Sequence, residues 1–444
     1  MMPIPTVLAA AHPSALPSPW MALPFGVLLL CIALLPLLVG HFWEHHYAKV
    51  AVGLGLITAG YYVVALGNSH AVLHSLTEYL SFMALVGSLF VISGGINIGV
   101  KGEATPAVNV LFLLAGAVIA NVIGTTGASM LLIRPWIRMN KYRITSYHIV
   151  FFIFVVSNCG GCLTPVGDPP LFLGFLRGIP FWWVIEHVWL AWFLCIGLLL
   201  AVFHVLDVRN FRRAPKEVAS RLTRDETWTV RGWRNVLLLG VVLVGVFLPQ
   251  AWRLGTETFH LTAGSLLMVT AAVASWFVTP KHLHEANDFN FHPVKEVGWL
   301  FVGIFLTMIP ALELLASGSG LPLTTPLGVY FASGSLSAFL DNAPTYLTFL
   351  AAGMGQFQMD VNSPADVVKF LDLHPGFVVA VSLGSVFFGA GSYIGNGPNF
   401  MVKAIAEKSR VKTPSFLGYI VGYSLPMLVP ILMLVGWLML RRGN

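Results

Sequence analysis

Asp168 and Asp341 stand inside apolar, interrupted stretches of the chain, T-P-V-G-D-P-P-L-F (164–172) and F-L-D-N-A-P-T-Y (339–346). No Lys or Arg shares either motif. A charged carboxylate at mid-membrane costs about 2.5–3.5 kcal/mol on insertion scales, so each Asp is expected to carry a proton or to hold a cation. Neutral hydroxyl and amide groups lie in the same interrupted stretches: Asn121, Thr125 and Thr126; Ser157, Asn158 and Thr164; Asn342 and Thr345; Ser392, Asn396 and Asn399. These are the candidate ion- or substrate-binding side chains, with sodium assigned to Asp168, Asp341, Asn342 and Asn396. A second reading of each Asp is helix capping or a turn beside Gly and Pro, which is compatible with ion binding.

The elements that hold these residues cannot be plain helices. S-N-C-G-G-C-L-T-P-V-G-D-P-P (157–170) and G-A-G-S-Y-I-G-N-G-P-N-F (389–400) combine Pro, which removes N–H donors, with Gly, which lowers helix propensity. Each should open a span into two half-helices. Unwound backbone at membrane depth is tolerated where it is buried or lines a wet cavity; there its carbonyls bind cations and helix N-termini attract anions. The competing reading is a kinked helix packed through small residues.

The rest of the chain sets the solvent. Of 444 residues, 57% are apolar and 10% charged, against roughly 25% charged in a soluble protein. The expected fold is an all-α polytopic membrane protein with the lipid bilayer as its surroundings. Ten segments are long enough to cross it, near 20–39, 49–67, 79–96, 147–176, 187–206, 233–252, 261–279, 298–316, 376–407 and 416–440. Two further stretches, 105–133 and 326–352, carry polar residues with Gly or Pro at their centres and read as re-entrant hairpins. A single span with polar packing residues is the alternative for each.

Basic residues test this layout. With the amino terminus outside, 20 of the 25 Lys and Arg fall in inner loops, which fits a multi-pass protein of the cell (inner) membrane with both termini outside. The net charge of +6 therefore orients the chain and gives no reason to expect nucleic acid. Four units follow: a short outside tail (1–19), a first membrane repeat (20–206), a basic cytoplasmic linker (207–234) and a second repeat (235–444). Each repeat has an odd number of crossings, so the second enters the membrane inverted. A shift of 228 residues lays Thr164 on Ser392, Gly167 on Gly395, Asp168 on Asn396, Pro170 on Pro398 and Phe172 on Phe400. At the hairpin tips Asn121 falls against Asp341 or Asn342.

Glu78 and Glu296 head a third span in each half and read as interfacial; Glu313 is a weaker site candidate, and Arg134 reads as an anchor of the first hairpin at the inner surface. Enzyme motifs are poor. H-F-W-E-H (41–45) has the H-x-x-E-H pattern of an inverted zincin but falls at a loop between spans, Pro165 breaks an aspartyl-protease G-x-G-D, and Cys159 and Cys162 lack a second pair. An intramembrane metalloenzyme is a remote alternative.

N-V-I-G-T-T-G-A-S-M-L-L-I-R-P (121–135), the two broken segments and F-L-D-N-A-P-T-Y together resemble the ion transporter superfamily, nearest to NhaD-type sodium/proton antiporters and the related citrate transporters and arsenite permeases. The resemblance covers the chain from about residue 20 onward. It implies a homodimer in which a scaffold part supports a moving part holding both hairpins and both broken helices. Carboxylate carriers of that superfamily have Ser-Asn-Thr at the tips, whereas this chain has Gly124-Thr125-Thr126 and Asp341-Asn342-Ala343. A sodium/proton antiporter is the leading expectation, with sodium and protons as transported species and no cofactor. A cation-coupled citrate or other di/tricarboxylate transporter is the second, with small organic anions as substrate.

Overall fold

The computed structural model describes residues 16–100, 104–213, 229–251, 257–317 and 324–441. Apart from a two-stranded antiparallel ribbon, β1 (Asn97–Gly99) with β2 (Thr229–Arg231), its regular elements are helical. In order these are α1 (Leu23–Leu38), α2 (Gly40–Gly60), α3 (Ser69–Gly94), α4 (Pro106–Met139), α5 (Ser146–Val155), α6 (Pro169–Leu176), α7 (Phe181–Arg213), α8 (Trp233–Ala251) and α9 (Glu257–Val278). They continue with α10 (Lys281–Ala286), α11 (His292–Ala316), α12 (Pro326–Ser337), α13 (Asn342–Gly355), α14 (Pro364–Leu373), α15 (Pro375–Phe388), α16 (Gly397–Lys408), α17 (Phe416–Tyr419) and α18 (Val429–Leu440).

Among the described residues eight helices are long and apolar enough to cross a membrane, or nine if α14 and α15, bent by 100° to each other, form one span. The expected spans at 233–252 and 261–279 appear as the shorter apolar helices Trp233–Leu248 and Ala263–Val278. Leu30, Leu56, Val64, Leu111, Phe193 and Phe277 are exposed on these helices, apolar side chains suited to lipid rather than water. The protein is an all-α, multi-pass membrane protein.

One of the eight, α4, does not run straight. Gly124 breaks it at φ 77°, ψ 154°, a region closed to other residues, and the backbone N–H of Ala104 donates to the carbonyl of Met139 at 3.3 Å. A straight helix of 34 residues would hold its ends about 50 Å apart. The chain therefore doubles back at Gly124. The second hairpin forms from α12 and α13: Pro326, at the start of α12, and Gly353, near the end of α13, both abut the start of α15, at Gly376 and Phe377. The base of the first hairpin follows the Gly94 end of α3, and that of the second lies beside the Ala316 end of α11, where Gly355 meets Leu315. The two enter from opposite faces.

The helices assemble into two bodies. In one, α1–α3 pack with α8–α11: Ser75 donates to the Phe305 carbonyl at 2.7 Å, Tyr79 to that of Gly298 at 3.0 Å, and Phe82 stacks on Phe301. The other holds both hairpins, both broken segments, α7 and α17–α18, tied by Tyr330 to the Leu432 carbonyl at 2.9 Å and by Tyr419 to that of Ala390 at 2.8 Å. A seam separates them, with α3 and α11 on one side and α4, α6 and α13 on the other.

Two expectations are corrected. The polar segment from 207 is not all linker: α7 continues to Arg213, since its buried face extends to Asp207, and 229–231 pair with β1. Residues 214–228 of that segment, and 1–15 of the expected tail, lie outside the described residues. H-F-W-E-H lies in the first turns of α2 rather than in a loop, with His45 Nδ1 2.9 Å from the His41 carbonyl.

Candidate functional site

Residues 159–163 and 389–391 are short 3-10 turns, where both broken segments leave the regular helix. Thr164 and Ser392 then act alike. Thr164 Oγ1 donates to the Asn121 carbonyl at 2.6 Å and accepts from Gly167 N–H, and Ser392 Oγ donates to the Ala338 carbonyl at 2.5 Å and accepts from Ile394 N–H. Each hydroxyl pins a broken segment to a hairpin. A Cβ on Gly167 would strike the Gly161 carbonyl, and one on Gly395 the Gly389 carbonyl, so the backbone reversal requires glycine at both places.

The reversal delivers Asp168 and Asn396 to the N-cap positions of α6 and α16, with nearly the same extended backbone (φ −141°, ψ 142° and φ −155°, ψ 140°). Neither side chain caps its helix. Instead they meet. Asp168 is 1% exposed; its Oδ1 accepts from Thr125 Oγ1 at 2.6 Å and Asn396 Nδ2 at 3.2 Å, and its Oδ2 from Asn342 Nδ2 at 2.5 Å. Both hairpins and both broken segments thus converge on one carboxylate. Charge-assisted bonds of this kind contribute about 1.5–3 kcal/mol each, and the positive ends of α6, α13 and α16 add to them.

The other expected residues fall into two groups. Asn396 Nδ2 also lies 3.2 Å from the Ser157 carbonyl and from Asn158 Oδ1, and Asn158 donates to Asn399 Oδ1 at 2.7 Å, so these three back the Asp168 contacts. Ser157 shares a 2.7 Å bond with Ser129. Asn121 serves as a strut: its Nδ2 donates to the carbonyls of Ala117 and Gly160, and its Oδ1 accepts from Leu163 N–H. Asp341 does not touch Asp168 by a hydrogen bond. It caps α13, Oδ1 accepting from Ala343 N–H at 3.0 Å, and its carbonyl accepts from Thr345 Oγ1 at 2.9 Å. Thr126 lines a cavity of about 20 Å³ with Asp168, Gly124, Phe82, Leu89 and Phe172, enough for roughly one water. Among the described residues Asn342 Oδ1 is buried without a hydrogen-bond partner.

The hairpin tips align differently from the sequence expectation. Thr125 and Asn342, 217 residues apart, are the pair that both bind Asp168, which sets Asn121 against Ala338; those two carbonyls receive the equivalent hydroxyls of Thr164 and Ser392.

Two polar clusters escaped the sequence reading. Glu78 is not interfacial but 2% exposed, and its Oε2 accepts from Arg177 Nη2 at 2.8 Å across the seam. Asp207, fully buried at the end of α7, accepts from Arg143 on both oxygens, from Tyr147 at 2.8 Å, from His148 at 3.1 Å and from Asn109 at 2.9 Å. That network ties the base of the first hairpin to α5 and α7. No signal in the sequence marked either pair beyond the oddity of an acid inside a helix.

The described residues place no group of three or more His, Cys, Asp or Glu side chains together in a way that would hold a metal ion. No curated protein matches the chain. Residues 14–440 match the model of the family described as "Putative citrate transport", nearly the whole chain, and the protein belongs to that family as a citrate-transporter-like secondary transporter.

Proposed function

We propose that the protein exchanges sodium for protons, with Asp168 as the group that takes each in turn. The observation that supports this reading most is that Asp168 is the one ionisable side chain among its own hydrogen-bond partners, which are a hydroxyl and two amides. Protonated, the carboxyl is neutral and holds no cation; deprotonated, it offers a charge to sodium beside the unpartnered Asn342 Oδ1 and a cavity of about one water. Sodium and proton then compete for the Asp168 carboxylate, and neither binds it while the other occupies it. Asp341, one residue from Asn342, is a second cation carrier in this reading. The two halves act as inverted repeats meeting at the site, in a homodimer of the cell membrane, with the Ser69 face of α3 outside.

Transport of citrate or another carboxylate is the second reading, and the family match supports it. Against it stands the charge of the site. Arg134 faces Asp288 at 3.9 Å and Lys403 pairs with Glu407 at 3.1 Å, so the basic residues at the edges of the motifs are engaged elsewhere. A polycarboxylate beside Asp168 would be repelled unless a cation or proton came with it.

The two readings separate in vesicles of purified protein under an imposed pH gradient. Added sodium should dissipate the gradient and added citrate should not. Citrate-dependent dissipation with no response to sodium alone would replace the first reading by the second.

A further inference from the structure

The seam between the two bodies holds two cavities, one above the other. The smaller, beside Asp168, is walled by Phe82, Leu85, Val86 and Leu89 of α3 and by Phe172 of α6. The larger, about 830 Å³, is lined on the same two elements by Ser75 and Glu78 of α3 and by Leu176 and Arg177 at the end of α6. Glu78 lies four residues from Phe82 and Leu176 four from Phe172, a rise of about 6 Å along each helix. One helical turn therefore divides the vestibule from the site. The Phe82 and Phe172 rings line the small cavity at that turn, and the ion pair of Arg177 with Glu78, whose side chains are 6% and 3% exposed, bridges α3 and α6 across it. The guanidinium also donates to Asn362, so it clamps α6 to α3 and to the chain leading into α14.

We propose that this α3–α6 seam is the path by which the cation reaches Asp168 from the Ser69 face, and that Arg177 and Glu78 form the latch that keeps it shut. The proposal deepens the sodium/proton reading and takes its cation from it. Three features carry it: the cavities share both walls, the pair joins the two bodies rather than residues of one, and the vestibule offers carboxylates with little opposing charge. Glu313 and Asp360 line it, and among the described residues Arg177 is its one Lys or Arg. A surface of that sign raises the local concentration of small cations. Closing the latch isolates Asp168 from that pool, and opening it requires only that α6 draw back from α3 by the width of two side chains. Arg177 and Glu78 are positioning residues here; neither touches Asp168.

The test uses single cysteines in the full-length protein, on a Cys31→Ser background because the other three cysteines are buried. In sealed vesicles His74→Cys, in the vestibule, marks the accessible face for a charged, impermeant thiol reagent. Val86→Cys, in the small cavity, should react slowly from that same face, and about tenfold or more faster when Arg177→Gln is added. Should Arg177→Gln fail to reach the membrane, Glu78→Gln/Arg177→Gln, which strands no charge, replaces it. A Val86→Cys rate that ignores both latch variants, or labelling only from the face opposite His74→Cys, overturns the proposal. Sodium in place of choline should protect Val86→Cys. Latch-dependent labelling without sodium protection leaves the path standing and removes sodium as the cargo; sodium protection without latch dependence does the reverse.

Discussion

Asn396 donates its side-chain amide to Asp168 across 228 residues of chain, at 3.2 Å. The same offset joins Cys159 to Phe387, whose carbonyl lies 3.9 Å from the thiol. Positions that a shift of 228 residues sets against each other therefore touch directly. One of the central pair is an acid and the other its amide, so two like charges do not meet there and no shared proton is needed to hold the halves together.

Replacing the acid should silence exchange. Asp168→Asn turns an acceptor into a group that presents N–H to the donors Thr125, Asn342 and Asn396, and it removes the charge. Sodium-dependent proton movement should fall to the background of empty vesicles, with protein still present in the membrane. Exchange at the wild-type rate would remove Asp168 from the mechanism.

Asp341 separates capping from transport. Asn caps a helix about as well as Asp, so Asp341→Asn should leave the melting temperature nearly unchanged while abolishing exchange; Asp341→Ala should in addition cost about 1 kcal/mol of stability. Normal exchange in the Asn variant would confine Asp341 to its cap of α13.

Competition for one carboxylate has a defined pH dependence. Protons exclude sodium at low pH, so activity should rise as the medium becomes alkaline. The half-saturating sodium concentration should increase about tenfold for each pH unit lost below the titration of the site. A saturation constant that does not move between acid and alkaline medium would contradict direct competition.

Asn342 is tested by truncation. Asn342→Ala removes both the donor to Asp168 and the unpartnered acceptor, and should raise the half-saturating sodium concentration at least tenfold, about 1.4 kcal/mol, with normal abundance. Thr125→Ser keeps its hydroxyl and should remain close to wild type. Equal behaviour of the two variants would refute a specific role for the amide.

The Asp207 cluster makes a prediction about stability alone. Asp207→Asn leaves the buried Arg143 guanidinium without its counter-charge, a loss of about 3–5 kcal/mol, visible as a lower melting temperature in detergent. Gly124→Ala should cost about 1–3 kcal/mol through backbone strain at positive φ and shift the first hairpin tip. In the Asp207 variant any surviving protein should exchange normally.

What the sequence displayed and what it hid differ in kind. Asp168, Asn396 and the broken segments were legible because Gly and Pro interrupt apolar runs within a dozen residues of chain. The hairpins were legible for the same reason, at Gly124 and at Asp341–Pro344. The pairing of their tips was not, because hairpins and broken segments follow different offsets between the halves, and a single shift cannot register both. Glu78 with Arg177, and Asp207 with Arg143, are joined across 99 and 64 residues. Their chemistry exists only once tertiary packing has brought two ordinary charges together and removed the water around them.

The cavity beside Asp168 admits about one water molecule. A hydrated cation carries several, so under the proposed exchange an ion seated there would give up part of its shell and recover that energy from fixed oxygens. Discrimination then turns on dehydration as much as on charge: a larger alkali ion loses its water more readily yet exceeds the space, and a smaller one fits but clings to its shell. Leu89 and the carbonyls of Val166 and Gly167 line the bare backbone of Gly124 at contact distance, so under the proposed exchange the first hairpin would bear directly on which ion size the site accepts.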